Sequence, residues 1–322
     1  MGNLAGWLVS VALVGMVALL LVKPVACPSA SPPETDMRYQ YIKAATVAQP
    51  ISIIVGAAPT GGGNAGDDYA QAVELYEANK EVLDKLLKAV YENKPLLGLP
   101  TSVDQMVELV QAGAGKAAMR YTFVHTERKI EIRGIYGPAL DLETVAKIVL
   151  MAGDLYANTG QTDRAIQIRK AACVMGWHMF NEGAVVDMTS RGLAIQAMAA
   201  QDLLRLYRDK GMDAEAANAS SYERAATAAW TYCGTKRQKL WNTAPKAGNL
   251  FFIAENDPGR AWRVQAVMSM AVLKFSARRT ADRRINKRLI TKYMSSDDPI
   301  IAAAAKSARY LKKSQFNTLG AP

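Results

Sequence analysis

Arg278, Arg279, Arg283, Arg284, Lys287, Arg288 and Lys292 all fall within Lys274 to Tyr293, "KFSARRTADRRINKRLITKY". Many of them stand three to five residues apart, so on a helix several share one face. Such a surface repels itself unless something anionic covers it. The chemistry on offer is therefore binding: acidic lipid headgroups, nucleic-acid phosphates or an acidic protein. A plain solvated face is the alternative. No aromatic residue interleaves the run, which weighs against single-stranded nucleic acid. The cluster also dominates the charge of its region. The chain carries +10 overall, yet from Thr235 onward 18 Lys and Arg face 5 Asp and Glu, leaving the first 234 residues about −3.

Other reactive residue types are few. "QAGAGKAAMR" offers Gly115-Lys116, but Val110 stands where a P-loop needs its first glycine and Ala117 where it needs a hydroxyl. This stretch reads as a helix terminus, and Gly61 to Gly63 as spacer. His125 has no visible partner. His178, in "CVMGWHMF" near Cys173 and Trp177, can be imagined in a redox or metal site; a buried, hydrogen-bonded histidine is the simpler expectation. Cys27, Cys173 and Cys233 show no metal-ligand spacing. Cys173 and Cys233 read as core thiols, able to pair only if the body is exported and their distance allows it. No nucleophile motif or acid/base couple stands out. No catalytic, cofactor-binding or metal-binding residue is therefore expected, and an enzyme is the least supported class.

Leu4 to Val22 is an uncharged, mostly apolar run of 19 residues, enough for one crossing of a bilayer core of about 30 Å. A signal peptide is its rival. The apolar stretch is long and the n-region lacks Lys and Arg, which favours a retained single-pass anchor. "PVAC" matches a lipobox weakly. Lys23, Arg38 and Lys43 argue for a cytoplasmic body; default export of an N-terminal apolar segment argues for an extracytoplasmic one, the side taken here. The expected organisation is an anchor over 1–23, a Pro/Gly-rich tether over 24–66, a helical body over 67–234 and a basic helical region over 235–322. Within the tether, Ile51 to Val55 is a short strand or a docking segment.

The body reads as all-α. Apolar steps of three and four predict helices over Asp68–Glu92, from Ser102 with a Ser102/Gln105 capping box, and over Asp141–Asn158, Thr162 to Phe180, Met188 to Arg208 and Asp213 to Tyr232. "NEGAVVDMTSRG" is expected to connect the middle pair. Arg120 to Gly134 alternates like a hairpin or an extended connector.

Two echoes suggest repetition. "YANTGQTDRA" (from Tyr156) and "YRDKGMDAEA" (from Tyr207) share Tyr, Gly and Ala at matching positions. With Gly153 and Ala172, the first resembles a tetratricopeptide repeat, in which small residues let two helices approach and an aromatic fills the space beside them. Leu204 replaces Gly153 and Glu223 replaces Ala172 in the second copy, and the 51-residue offset exceeds the family's usual 34. A helix simply ending in a glycine turn also explains the echo. Further on, Asp257-Pro258 and Asp298-Pro299 each precede an alanine-rich helix and resemble HEAT-type repeats. These resemblances imply an α-solenoid of stacked hairpins. The expected function is a membrane-tethered interaction protein, an accessory or scaffold subunit that docks a protein partner in a membrane complex. Contact with anionic lipid is the alternative, and nucleic acid is the less favoured one.

Overall fold

The computed structural model describes residues 50–92, 98–120, 133–182, 186–243, 247–257, 259–276 and 280–310. Twelve helices run through them: α1 Ser52–Val55, α2 Ala65–Ala78, α3 Lys80–Tyr91, α4 Thr101–Ala114, α5 Arg133–Asn158, α6 Thr162–Glu182, α7 Val186–Asp209, α8 Asp213–Thr243, α9 Ala247–Asn256, α10 Arg260–Ser276, α11 Thr280–Tyr293 and α12 Pro299–Tyr310. No strand occurs among the described residues; one isolated parallel bridge joins Gly61 to Lys116. The fold is all-α. The apolar run Leu4–Val22 and the segment 121–132, read as hairpin or connector, lie outside the described residues. Within those residues no helix is long and apolar enough to cross a membrane.

Two apolar cores follow the chain. The first joins α1 to α8, with Leu83, Met106, Ile148, Ile168, Met175 and Tyr222 among its fully buried side chains. The second joins α9 to α12 around Trp262, and takes in Val186 and Leu193 of α7 and Cys233 of α8. Because α7 packs on α5, α6, α8 and α10, it belongs to both.

Several boundaries differ from the sequence reading. Asp68–Glu92 is two helices. Asn79 breaks them by turning its side-chain amide back onto the Leu75 carbonyl (2.9 Å), the local competition with backbone bonding that keeps asparagine out of helix interiors. The Ser102/Gln105 capping box does not form. Pro100 precedes the first turn, Thr101 begins the helix, and the buried Ser102 hydroxyl has no hydrogen-bond partner. The supposed connector "NEGAVVDMTSRG" is mostly helix, with α6 reaching Glu182 and α7 beginning at Val186. Its Gly192 is a packing residue.

The region read as tether also contributes to the body at its C-terminal end. Ile51 and Ile54 are buried, and α1 packs on α8, so the apolar segment docks as a helix. Gly61 donates to the Gly115 carbonyl (3.0 Å) and accepts from Ala117 N–H (2.8 Å), so the glycine run is laid against the end of α4. A Cβ on Gly61 would sit 2.5 Å from the Gly115 oxygen. This close backbone approach explains a glycine that composition alone assigns to a spacer.

The Tyr-to-Ala echo becomes two identical turns. Gln161 N–H bonds the Tyr156 carbonyl (2.8 Å) and Gly160 N–H the Ala157 carbonyl (3.2 Å); Met212 repeats the first bond to Tyr207 (2.9 Å) and Gly211 the second to Arg208 (3.1 Å). Both are Schellman motifs with glycine in the left-handed region, φ +80° and +68°. Helix C-capping therefore accounts for the Tyr-x-x-x-Gly part of the echo.

Candidate functional site

The amphipathic pattern of α11 fixes which way its cations point. Asn286, Leu289, Ile290 and Tyr293 are buried against the second core. Arg284, Lys287, Arg288, Thr291 and Lys292 are exposed on the opposite face. Of the seven cations expected to bind an anion, the structure thus brings Arg284, Lys287, Arg288 and Lys292 to one solvent-facing side. Arg283 lies in the first turn of α11, and Arg278 and Arg279 lie outside the described residues.

These cations are not equivalent. Lys292 Nζ donates to Glu255 Oε1 (2.9 Å) and sits 4.8 Å from the centre of the Phe251 ring. Tyr293 donates to the same carboxylate oxygen (2.6 Å). Burial pushes the Glu255 carboxyl up, but the Tyr293 hydroxyl and Lys292 outweigh it and hold the group below its ordinary value. Lys292 is therefore already neutralised by α9. Arg284 and Lys287 have no acidic partner among the described residues. Sequence spacing placed these residues on one face but could not find Glu255, which lies 37 positions upstream.

The base of this region is held by an arginine that sequence reading passed over. Arg260, the first residue of α10, pairs with Asp298 Oδ2 (3.1 Å) and donates to the Glu182 carbonyl at the end of α6 (3.2 Å). Asp298 Oδ1 meanwhile accepts from Ile300 and Ile301 N–H, capping α12, with Pro299 at the first helical position. At the earlier Asp-Pro, Asp257 Oδ1 accepts from Gly259 N–H (2.9 Å) and α10 begins only at Arg260. The two copies hence differ in their caps, and Arg260 joins the start of one helix to the cap of the other.

Elsewhere the reactive side chains are structural. Tyr69 Oη lies 2.9 Å from His178 Nδ1 in the first core. Nε2 makes no hydrogen bond among the described residues. Burial pulls the His178 pKa down to about 4 against the opposing effect of the Lys116 main chain, so the ring is neutral at pH 7. Lys116, the lysine of the apparent P-loop, pairs with Asp68 (2.6 Å) and points back at the start of α2. Cys173 and Cys233 are not disulfide-bonded to each other and are buried in different cores. Burial lifts the Cys173 thiol to about 12, which leaves it unreactive in the fold. No group of His, Cys, Asp or Glu among the described residues is arranged to hold a metal ion.

Polar networks stitch the hairpins together. Arg169 is buried. It donates to the carbonyls of Gly153 and Ala165 (3.2 Å each) and pairs with Asp154 (2.6 Å). The small residues at 153 and 165 thus make room for a guanidinium. Glu143 of α5 bridges to Arg191 of α7, and Tyr156 of α5 to Asp104 of α4, where Arg164 stacks on the Tyr156 ring.

The chain matches no protein family, no curated protein and no solved structure.

Proposed function

We propose that this protein is a membrane-tethered helical-repeat interaction protein, an accessory or scaffold subunit of a larger membrane complex. Leu4–Val22 anchors it, with the body on the extracytoplasmic side. Its helical hairpins dock a protein partner and its basic C-terminal region meets an acidic surface. The observation that carries this reading is the exposed cation face of α11. A helix whose apolar side is used up in its own core presents only charge outward, which suits recognition and supplies no acid, base or nucleophile. The tetratricopeptide-like reading of α5 to α8 is supported by α7 packing on α5 as well as on α6, while the paired Schellman turns favour plain helix capping. The HEAT-like reading of the last helices is supported at Asp298 and weakened at Asp257.

Gentle detergent extraction, followed by mass spectrometry of co-purifying chains and of the intact N-terminus, tests the proposal. A stoichiometric partner and a retained apolar segment are expected. A chain that begins after residue 26 and runs alone would overturn it. A second reading, in which α11 binds anionic lipid or nucleic acid directly, draws on the same exposed cations.

A further inference from the structure

We infer that Asn218, on the outward side of α8, is an N-glycosylation site. The inference rests on the extracytoplasmic placement proposed above and goes beyond it by assigning a covalent modification.

Asn218-Ala219-Ser220 is the acceptor pattern for asparagine-linked sugar, with a hydroxyl two residues on and no proline between. No other asparagine of the chain has Ser or Thr at that position. Three residues recur by chance, so the setting of the pattern carries the weight. Asn64 caps the start of α2, Asn79 bonds the Leu75 carbonyl, and Asn286 is buried. Asn218 has no such task. It is exposed, and its side-chain amide makes no hydrogen bond among the described residues. Asparagine is also a weaker helix former than the alanines on either side of it. The residue therefore costs α8 stability and adds no contact to the fold. An idle amide held in solvent is what a sugar acceptor requires.

The surroundings leave room for the sugar. Ala219 and Tyr222 turn inward and are buried. Ala214, Glu215 and Ala217 are exposed beside Asn218, and Ser221 is half-buried. Apart from Glu215 these are the smallest polar and apolar side chains, so the first sugars meet a bare strip of helix. Carbohydrate attached here extends into solvent and disturbs neither core.

The step is a group transfer. Asn218 Nδ2 forms a bond to the anomeric carbon of a sugar carried on a lipid pyrophosphate. The bond from that carbon to the pyrophosphate oxygen breaks, and its electron pair leaves with the lipid pyrophosphate. One Nδ2 proton passes to a base of the membrane-bound transferase. Helix geometry sets the timing. Residues two apart on an α-helix point about 200° away from each other, so in α8 the amide and the Ser220 hydroxyl lie on opposite sides. A transferase that reads both must act on the chain before α8 forms.

Peptide mass spectrometry of the full chain, purified from its native membrane, tests this. Peptides are deglycosylated by an amidase in heavy-oxygen water, which leaves a heavy aspartate wherever a sugar was attached. In parallel, vesicles sealed with the cytoplasmic face outward are treated with an impermeant amine reagent and read at Lys85, whose side chain is 74% exposed. The Asn218 peptide should carry hexose and N-acetylhexosamine mass before the amidase and the heavy label after it, and Lys85 should react only once detergent is added. Asn218→Gln and Ser220→Ala should each abolish the modification, whereas Ser220→Thr should keep it; circular dichroism checks that all three retain their helix. Folded, unmodified chain offered to the transferase should stay unmodified. A bare Asn218 with Lys85 protected overturns the inference while the extracytoplasmic placement stands. A bare Asn218 with Lys85 open to the reagent in sealed vesicles sinks the placement and the inference with it. Carbohydrate found only at another residue also overturns it.

Discussion

Gly176 of α6 and Gly192 of α7 face each other so closely that a Cβ built on either would stand 2.6 Å from the other's carbonyl oxygen. Gln196 brackets the crossing, its amide donating to both carbonyls (3.1 and 3.2 Å) while its own oxygen accepts from Tyr222 of α8 (2.6 Å). Two backbones and three helices meet at this point. Replacing either glycine with alanine should cost about 1–3 kcal/mol by forcing the helices apart. Chemical denaturation measures it, and an unchanged midpoint would mean that the helices do not cross here.

The two Schellman turns make a paired prediction. Gly160 and Gly211 both sit at positive φ with open space around them, so alanine meets backbone strain and no clash. Each substitution should lower stability by about 1–2 kcal/mol, and by nearly the same amount. A large inequality between the two would show that the echo is not one motif used twice.

Acid stability should carry the mark of His178. Its folded-state pKa is lowered, to about 4, while the unfolded chain titrates near 6.5. Below pH 6.5 the unfolded state binds the extra proton first, so stability falls as pH drops from about 6.5 to about 4 and this contribution then levels off. The window is worth about 3 kcal/mol. Because carboxylates titrate nearby, the informative quantity is the difference between the wild type and His178→Gln. That difference should shrink steadily toward pH 4; a constant offset would contradict a buried neutral imidazole.

Native thiol chemistry should be slow. Cys173 is fully buried, with its thiol pushed up to about 12, and should resist maleimide until the protein unfolds. Labelling under native conditions, read by peptide mass spectrometry, would indicate that the first core opens.

Removing the Asp298 carboxylate should loosen the end of the molecule. Asp298→Ala deletes a cap and the partner of Arg260 and should cost about 1 kcal/mol. Asp298→Asn keeps the cap and should cost less, because Arg260 is 42% exposed and its ion pair is screened. Equal losses would place the weight on the pair instead.

How far these features could be read in advance depended on range. The C-terminal ends of α5 and α7 are legible because glycine stops act within a few residues, whereas the start of α5 at Arg133 and the helical run from Val186 are not. The capping box failed because Ser102 lies one residue inside the helix that Pro100 begins. Gly61 and Gly192 were misassigned for one common reason. A glycine kept for close approach looks locally like a glycine kept for a turn, and only the partner, Gly115 or Gly176, tells them apart. That Arg284 and Lys287 share a helical face followed from their spacing. The neutralisation of Lys292 did not, since Glu255 reaches it from another helix. Arg169 is a clear case of tertiary override: its guanidinium reaches the carbonyls of Gly153 and Ala165 across two helices, which local spacing does not reveal.

The seating of α1 on α8 has a mechanical consequence. Ile51 and Ile54 are the first described side chains locked into the body, and they precede the glycine run that leads to α2. Tension arriving along the chain from residues before 50 is delivered to that isoleucine latch and so to α8. It does not reach α2 while the latch holds. Once the two side chains are pulled out, Gly56 to Thr60 pays out as slack before load falls on the Gly61–Gly115 pairing. For a pull from the N-terminal side, the isoleucine latch is thus the first contact of the described body in line with the load.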